Sequence, residues 1–523
     1  MSLKSIKKNE QLALQQQTQF IRIGLTFFFM AGILIYVYLI SKGLHGSIVL
    51  LASAVIGGYM AMNIGANDVA NNVGPAVGSK AITLFWAIVI AAIFEAAGAL
   101  LAGGEVVSTI KNSIIDPSKL KDTKTFVWLM LSALLAGAVW LNLATLFGAP
   151  VSTTHSIVGG VLGAGIAAGG FGIANWEKMA AIAASWVISP VLGGVIAASF
   201  LLFIKKKIIY QTDMIKAARK FVPVLIAFMA WAFSTYLVLK GLKKIWKLDF
   251  QMAALIGFGI AIAIYFVVKP FIVRKSEGVE NSRESVNTLF TIPLIFAAAL
   301  LSFAHGANDV ANAVGPLAAI SDAIIQQGGI SSKATIPLWV MMIGALGISL
   351  GLLLFGPKII KTVGSEITEL DKSRAFCVAM AAAITVIIAS QLGLPVSSTH
   401  IAIGGIFGVG FLREYLKTSY ANQLQGMLDD HEGEEKVRLQ QFLSNFESAS
   451  VEDMEKMIKQ AKIQKTELGL KKSERNKMKK LYSEKLVKRS AVKKIVAAWI
   501  ITVPASATIA ACVFFMLQDL PLG

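Results

Sequence analysis

The sequence predicts an all-α polytopic membrane protein, on three observations. Of its 523 residues 55% are hydrophobic, with a mean hydropathy of +0.66, more than the roughly 45–50% of soluble domains. Apolar runs at 20–40, 81–104, 178–204, 221–240, 250–268, 334–356 and 491–516 approach or exceed the ~20 residues that a helix needs to cross a bilayer. Long polar-bearing motifs recur inside apolar surroundings, once in each half of the chain. A β-barrel would show short alternating segments instead.

The elements follow in chain order. No small-residue cleavage site follows 20–40, so this run reads as a retained span rather than a signal peptide, and 1–46 as an N-terminal extension with one extra span. The first repeat occupies 47–204. It contains "GANDVANNVGP" (Gly65–Pro75) and "GAPVSTTHSIVGG" (Gly148–Gly160). Residues 205–288 are connecting loops and two spans. The second repeat begins at 289 and runs to 411, with "GANDVANAVGP" (Gly306–Pro316) and "GLPVSSTHIAIGG" (Gly393–Gly405). The offset is 241 positions at the first motif and 245 at the second. A weaker match, "ASWVISP" ending at Pro190 against "AWIITVP" ending at Pro504, has an offset of 314. The second half therefore holds an insertion, the polar segment 412–490, before its final span in 491–523.

Charge sets the orientation. With the Lys-rich N-terminus inside, and with the pieces around Pro150–Ser156 and Pro395 as re-entrant hairpins, Lys205–Lys207, Lys216, Arg219 and Lys220 fall inside. The segment 412–490 then also lies inside and the C-terminus outside. Lys243, Lys244 and Lys247 fit this scheme badly. The two GAND spans run in opposite directions, so the expected fold is an inverted-repeat transporter with broken helices and two re-entrant helical hairpins. The net charge of +18 is explained by basic loops between spans, with no need for nucleic acid. Cys377 and Cys512 read as small core residues. Residues 412–490, basic toward "KKSERNKMKKLYSEKLVKRS" (Lys471–Ser490), read as a helical hairpin or cytoplasmic loop, a solvated face more than a regulatory surface.

Asp and Asn inside a span are costly, and an intramembrane carboxylate is a functional-site candidate by default. Gly65 and the Gly74-Pro75 pair read as helix breakers. Asn67 and Asn71 are four apart and share a helix face with Asp68 between them; Asn308, Asp309 and Asn312 repeat the pattern. At the hairpin tips, Ser152 and Ser397 are N-cap types following Pro150 and Pro395. A helix start there is also an anion site, with free N–H groups and a positive dipole end. Thr153, Thr154, Ser398 and Thr399 add hydroxyls. His155 and His400 read first as residues that order the turn. A cation between carboxylate and anion would cancel their repulsion, since hard cations take oxygen ligands. There is no His-Glu-x-x-His motif and no GKS or GKT loop.

The paired GANDVAN and P-V-S-[ST]-T-H motifs resemble those of the inorganic phosphate transporter (PiT) family, over roughly 47–411 and 491–516. The resemblance implies a secondary transporter in the cell membrane that imports inorganic phosphate with sodium as coupling ion, as a homodimer among membrane lipids and with no other cofactor. It places phosphate at Asn67, Asp68, Asn308, Asp309, Ser152, Thr153, Thr154, Ser397, Ser398 and Thr399. It places sodium at Asp68, Asn71, Asp309, Asn312, Thr154 and Thr399. Glu95, in "FEAAG", resembles a family glutamate tied to substrate handling; the second such position looks like Ala379 here, which alters the number of titratable groups. Other readings are a proton-coupled phosphate or sulfate permease, an anion channel or non-transporting receptor, and an intramembrane hydrolase using Ser152 or Ser397. Two matching half-sites suit binding better than catalysis, so no enzyme activity is expected.

Overall fold

The computed structural model describes residues 3–146, 151–241, 248–325, 336–366, 370–415, 440–442, 444–445, 457 and 489–522. Pro150, the Lys243–Lys247 cluster and most of 412–490 lie outside the described residues. Among those described, the chain is helical throughout, with one isolated antiparallel bridge between Ile115 and Ala174. The long helices are α1 (Leu3–Ser41), α2 (Ser47–Asn67), α3 (Val69–Gly78), α4 (Leu84–Ala102), α5 (Gly104–Asn112), α6 (Thr123–Leu146), α7 (Thr153–Gly169) and α8 (Trp176–Ile204). They continue with α9 (Met214–Gly241), α10 (Phe250–Lys275), the short α11 (Arg283–Leu289), α12 (Thr291–Ile325), α13 (Leu338–Glu366), α14 (Lys372–Gln391), α15 (Ser398–Tyr415) and α16 (Arg489–Leu517).

Eleven described segments are helical, long and apolar enough to cross a membrane, and the protein is a multi-pass membrane protein. Those eleven include α6 and α14, the helices that precede the two tips. Large apolar side chains face outward on α1 and α10, among them Phe20, Phe28, Phe258 and Phe266. In water such faces would be costly; in a bilayer they are the solvated surface. Cys377 is buried as expected, whereas Cys512 is exposed, because it lies on the outward side of α16.

Helix α12 is the centre of the molecule. Every residue from Ala297 to Ile324 is buried, and α2, α3, α4, α5, α6, α13 and α14 all pack on it. A helix buried on all sides has no use for a polar face, so Ser302, His305, Asn308, Asp309 and Asn312 stand out within it.

The two GAND copies differ in backbone. The first is interrupted at one residue, Asp68, between α2 and α3. Even there φ is −84° and ψ −33°, and the Asn71 N–H reaches back three residues to Asp68 O at 3.0 Å. The second copy lies inside the unbroken α12, Pro316 included. Gly74 and Pro75, read as breakers, lie inside α3, and Gly65 instead permits close approach: a Cβ there would strike Ile348 O, and one on Gly306 would strike Glu95 O. Reciprocally, Gly351 lies against Met62 O and Gly98 against Phe303 O. Small residues of this kind let membrane helices meet backbone to backbone.

These contacts all cross between halves. Helix α2 packs on α13, and α12 on α4. Helix α7 packs on α16 through Gly159 and Gly163, and α15 on α8 through Gly404 and Gly408. Charges also enter the body. Lys111 on α5 pairs with Asp322 on α12 at 2.9 Å with both side chains buried, an exception to the placing of every basic residue in a loop.

Candidate functional site

Helix starts and helix centres meet in one polar region. Helix α7 begins at Thr153, capped by Ser152, whose Oγ accepts the His155 N–H at 3.2 Å. Helix α15 begins at Ser398, and Ser397 Oγ accepts the His400 N–H at 3.4 Å. Ser152 and Ser397 therefore serve as caps, and Ser152 is turned to a backbone N–H rather than to an imidazole. Ser156 Oγ donates to Ser152 O at 2.8 Å and secures the same turn.

The first hairpin start meets both GAND copies. Thr153 Oγ1 donates to Asp68 Oδ2 at 2.9 Å. Asn312 Nδ2 donates to Thr153 Oγ1 at 3.2 Å and to Thr154 Oγ1 at 3.0 Å. Across the region, Asn71 Nδ2 donates to Thr399 Oγ1 at 2.9 Å. The structure thus joins Asp68, Thr153, Thr154 and Asn312 in one network, and pairs Asn71 with Thr399 across 328 positions of sequence. Asn67 is half-buried at the end of α2. Asn308 faces the backbone of the second tip: its Nδ2 donates to Leu394 O at 3.2 Å and to Ser390 Oγ at 3.0 Å. Ser398 is buried, and its Oγ has no hydrogen-bond partner.

Three carboxylates lie close to one another. His305 Nδ1 is 2.7 Å from Glu95 Oε2, and its Nε2 is 3.0 Å from Asp309 Oδ2. Asn72 Nδ2 donates to the other Glu95 oxygen at 2.8 Å. Asp68, His305 and Asp309 each offer an atom within 4.8 Å of the others, all buried. Asp309 Oδ1 and Asn312 Oδ1 accept no hydrogen bond. One imidazole faces three carboxylates, and burial raises the cost of each uncompensated charge. This oxygen-rich cluster fits a hard cation. Ala379, the position the family resemblance matches to a second glutamate, is buried on α14.

His155 and His400 are both buried, with ring centroids 4.8 Å apart, and the His155 ring lies 3.9 Å from that of Trp186. Sequence reasoning singled out neither Trp186, Asn72 nor His305 as a site residue. Two signals were available. His305 stands immediately before the second GAND motif, inside a span. Asn72 is an extra amide in the first motif where the second has Ala313.

A buried polar centre built from two hairpin starts and two span centres, within a helical body crossing the bilayer many times, is the architecture of a secondary transporter. Comparison narrows the class. Residues 64–510 match the model of the phosphate transporter family, and the chain belongs to that family. A protein of Helicobacter pylori strain J99 that carries the name phosphate permease is 51% identical over 528 residues, covering 99% of each chain. One of that name from Haemophilus influenzae is 39% identical, over 71% of this chain and 89% of its own. A solved structure titled the sodium-dependent phosphate transporter superposes with a TM-score of 0.72 at 32% identity, over 90% of this chain and 99% of that one.

Proposed function

We propose that this protein imports inorganic phosphate across the cell membrane in symport with sodium. The observation that carries the sodium part is the buried cluster of Asp68, Asp309 and Glu95 around the single imidazole of His305. A cation held by Asp68 and Asp309, with the oxygens of Asn71, Asn312, Thr154 and Thr399, offsets their repulsion. The anion then lies over the starts of α7 and α15, where N–H groups and hydroxyls are donors. Each ion lowers the cost of the other, and that mutual dependence is a coupling free energy. Phosphate near neutral pH keeps an O–H that can donate to a carboxylate, whereas sulfate has none, so sulfate is disfavoured. The name of the structural relative supports the choice of sodium.

The proposal extends to the layout. The two repeats are inverted, the segment 412–490 is cytoplasmic, the C-terminus is external and the transporter is a homodimer. A proton-coupled version draws on a specific feature, the line Asn72–Glu95–His305–Asp309, since chains of acidic groups and histidine carry protons in membrane proteins. The deciding experiment is labelled phosphate uptake into proteoliposomes with sodium and proton gradients imposed separately. Concentrative uptake driven by sodium alone is expected. Uptake driven only by protons would overturn the sodium assignment, and phosphate binding without concentrative uptake would point to a channel or receptor.

A further inference from the structure

Four consecutive carbonyls at the tip preceding α15 are each held by a side chain. Thr109 Oγ1 donates to Gly393 O at 2.7 Å, Asn308 Nδ2 to Leu394 O at 3.2 Å, Trp186 Nε1 to Pro395 O at 3.0 Å and Thr154 Oγ1 to Val396 O at 2.9 Å. Asn308 also closes a ring, since the Val396 N–H donates to its Oδ1 at 3.2 Å. The four donors come from α5, α12, α8 and α7. Three of them belong to the first half, although the tip belongs to the second. Gly393 has φ +64°, and a Cβ there would come within 3.1 Å of Thr109 Oγ1. Only glycine suits that conformation without strain.

A run of free carbonyls at membrane depth is a cation-coordinating surface, as in selectivity filters. A carbonyl turned onto a protein donor keeps only its second lone pair for that use. Once all four are so engaged, the polarity left for a ligand comes mostly from the first N–H groups of α15, which a helix start leaves without partners in the helix, and from the hydroxyls beside them. The clamps thereby convert a carbonyl-rich turn into a donor surface suited to an anion.

We propose that Trp186 and Thr109 are positioning and specificity residues of the anion site, acting through the backbone of residues 393–396. By the same geometry, Asn308 and Thr154 act on the tip backbone, beyond any contact with the transported ions. Trp186 also braces the other tip, because its ring lies against His155. The inference rests on the phosphate reading above.

The test uses Trp186→Phe, which keeps an aromatic ring beside His155 and loses the N–H, and Thr109→Val, which keeps the shape and loses the hydroxyl. Thr109→Ser restores the donor. Two measurements are made on the full-length protein: KM and Vmax for phosphate uptake in proteoliposomes with sulfate as competitor, and hydrogen exchange of the 393–399 backbone in the purified protein. Losing a neutral hydrogen bond that orders a charged site should raise KM by about 5- to 10-fold in each of the first two variants, with Vmax little changed. Sulfate should compete better, and exchange should quicken at 393–399 alone. Thr109→Ser should behave as wild type. Unchanged KM and sulfate competition in folded variants would overturn the specificity role, even with faster exchange. Unchanged exchange at the tip would overturn the clamp itself. If the wild type takes up no phosphate at all, the proposed function fails and the specificity role fails with it; an active wild type with indifferent variants sinks the clamp alone.

Discussion

The two copies of the GAND motif are nearly identical in sequence and unequal in structure. The first bends at Asp68, whose carboxylate accepts a hydrogen bond from Thr153. The second lies within the unbroken α12, in its fully buried stretch from Ala297 to Ile324, and its Asp309 ends a line that runs through His305 and Glu95 to Asn72. Three members of that line have no polar counterpart in the repeat. By the motif offset Asn72 aligns with Ala313 and His305 with Ile64, while Ile348 stands against Gly65 as Glu95 stands against Gly306. Duplication supplied matching donors and carboxylates to both halves. Outside the matched motifs the halves differ, and the titratable partners gather on Asp309.

The largest expected effect comes from the paired carboxylates, which the comparison treats as unequal partners in one site. Asp68→Asn and Asp309→Asn should each lose most sodium-driven uptake while the protein still reaches the membrane. The measurement is phosphate uptake against sodium concentration, alongside surface expression. Full sodium dependence in both variants would remove the carboxylates from the mechanism. Equal sodium shifts in the two would weaken the idea that Asp309 carries more of the coupling.

An intermediate effect is expected where the halves differ by one amide. Asn72→Ala makes the first motif match the second at that position and leaves a Glu95 oxygen without its donor. A hydrogen bond to a charged group is worth about 1.5–3 kcal/mol, so the sodium concentration for half-maximal uptake should shift by roughly tenfold or more. An unaltered sodium curve would reduce Asn72 to packing.

The smallest effect is expected where the halves agree. Ser152→Ala and Ser397→Ala each remove an N-cap that serves the backbone N–H of a histidine three residues on. Losing such a cap costs about 0.5–2 kcal/mol, visible as modest, similar losses in thermal stability. Phosphate affinity should fall by less than about tenfold. A much larger loss in one variant than in the other would show that this serine contacts the anion directly.

Much of this protein was legible in one dimension. Hydropathy and run length determined a multi-span helical membrane protein, because every backbone group in a bilayer must be satisfied within a helix or a closed barrel. Repeated strings determined the duplication, and the rarity of Asp, Asn, Ser and Thr at such depth marked the residues that meet at the site: Asp68, Asn71, Asn312, Thr153, Thr154 and Thr399. The helix breaks were misplaced from sequence because glycine has two uses. At Gly65 it permits another helix to touch, and nothing local distinguishes that from a break.

The tertiary structure alone decided which half touches which, and so which polar groups pair. The packing of α2 on α13, α12 on α4, α7 on α16 and α15 on α8 brings Glu95 to His305, 210 positions away, and Trp186 to Pro395, 209 positions away. Periodicity and capping are properties of neighbours along the chain, set by backbone geometry over a few residues. The clamp on residues 393–396 and the charge line to Asp309 arise only where three or more helices converge, and the partner of each group there is chosen by how closely the helices approach.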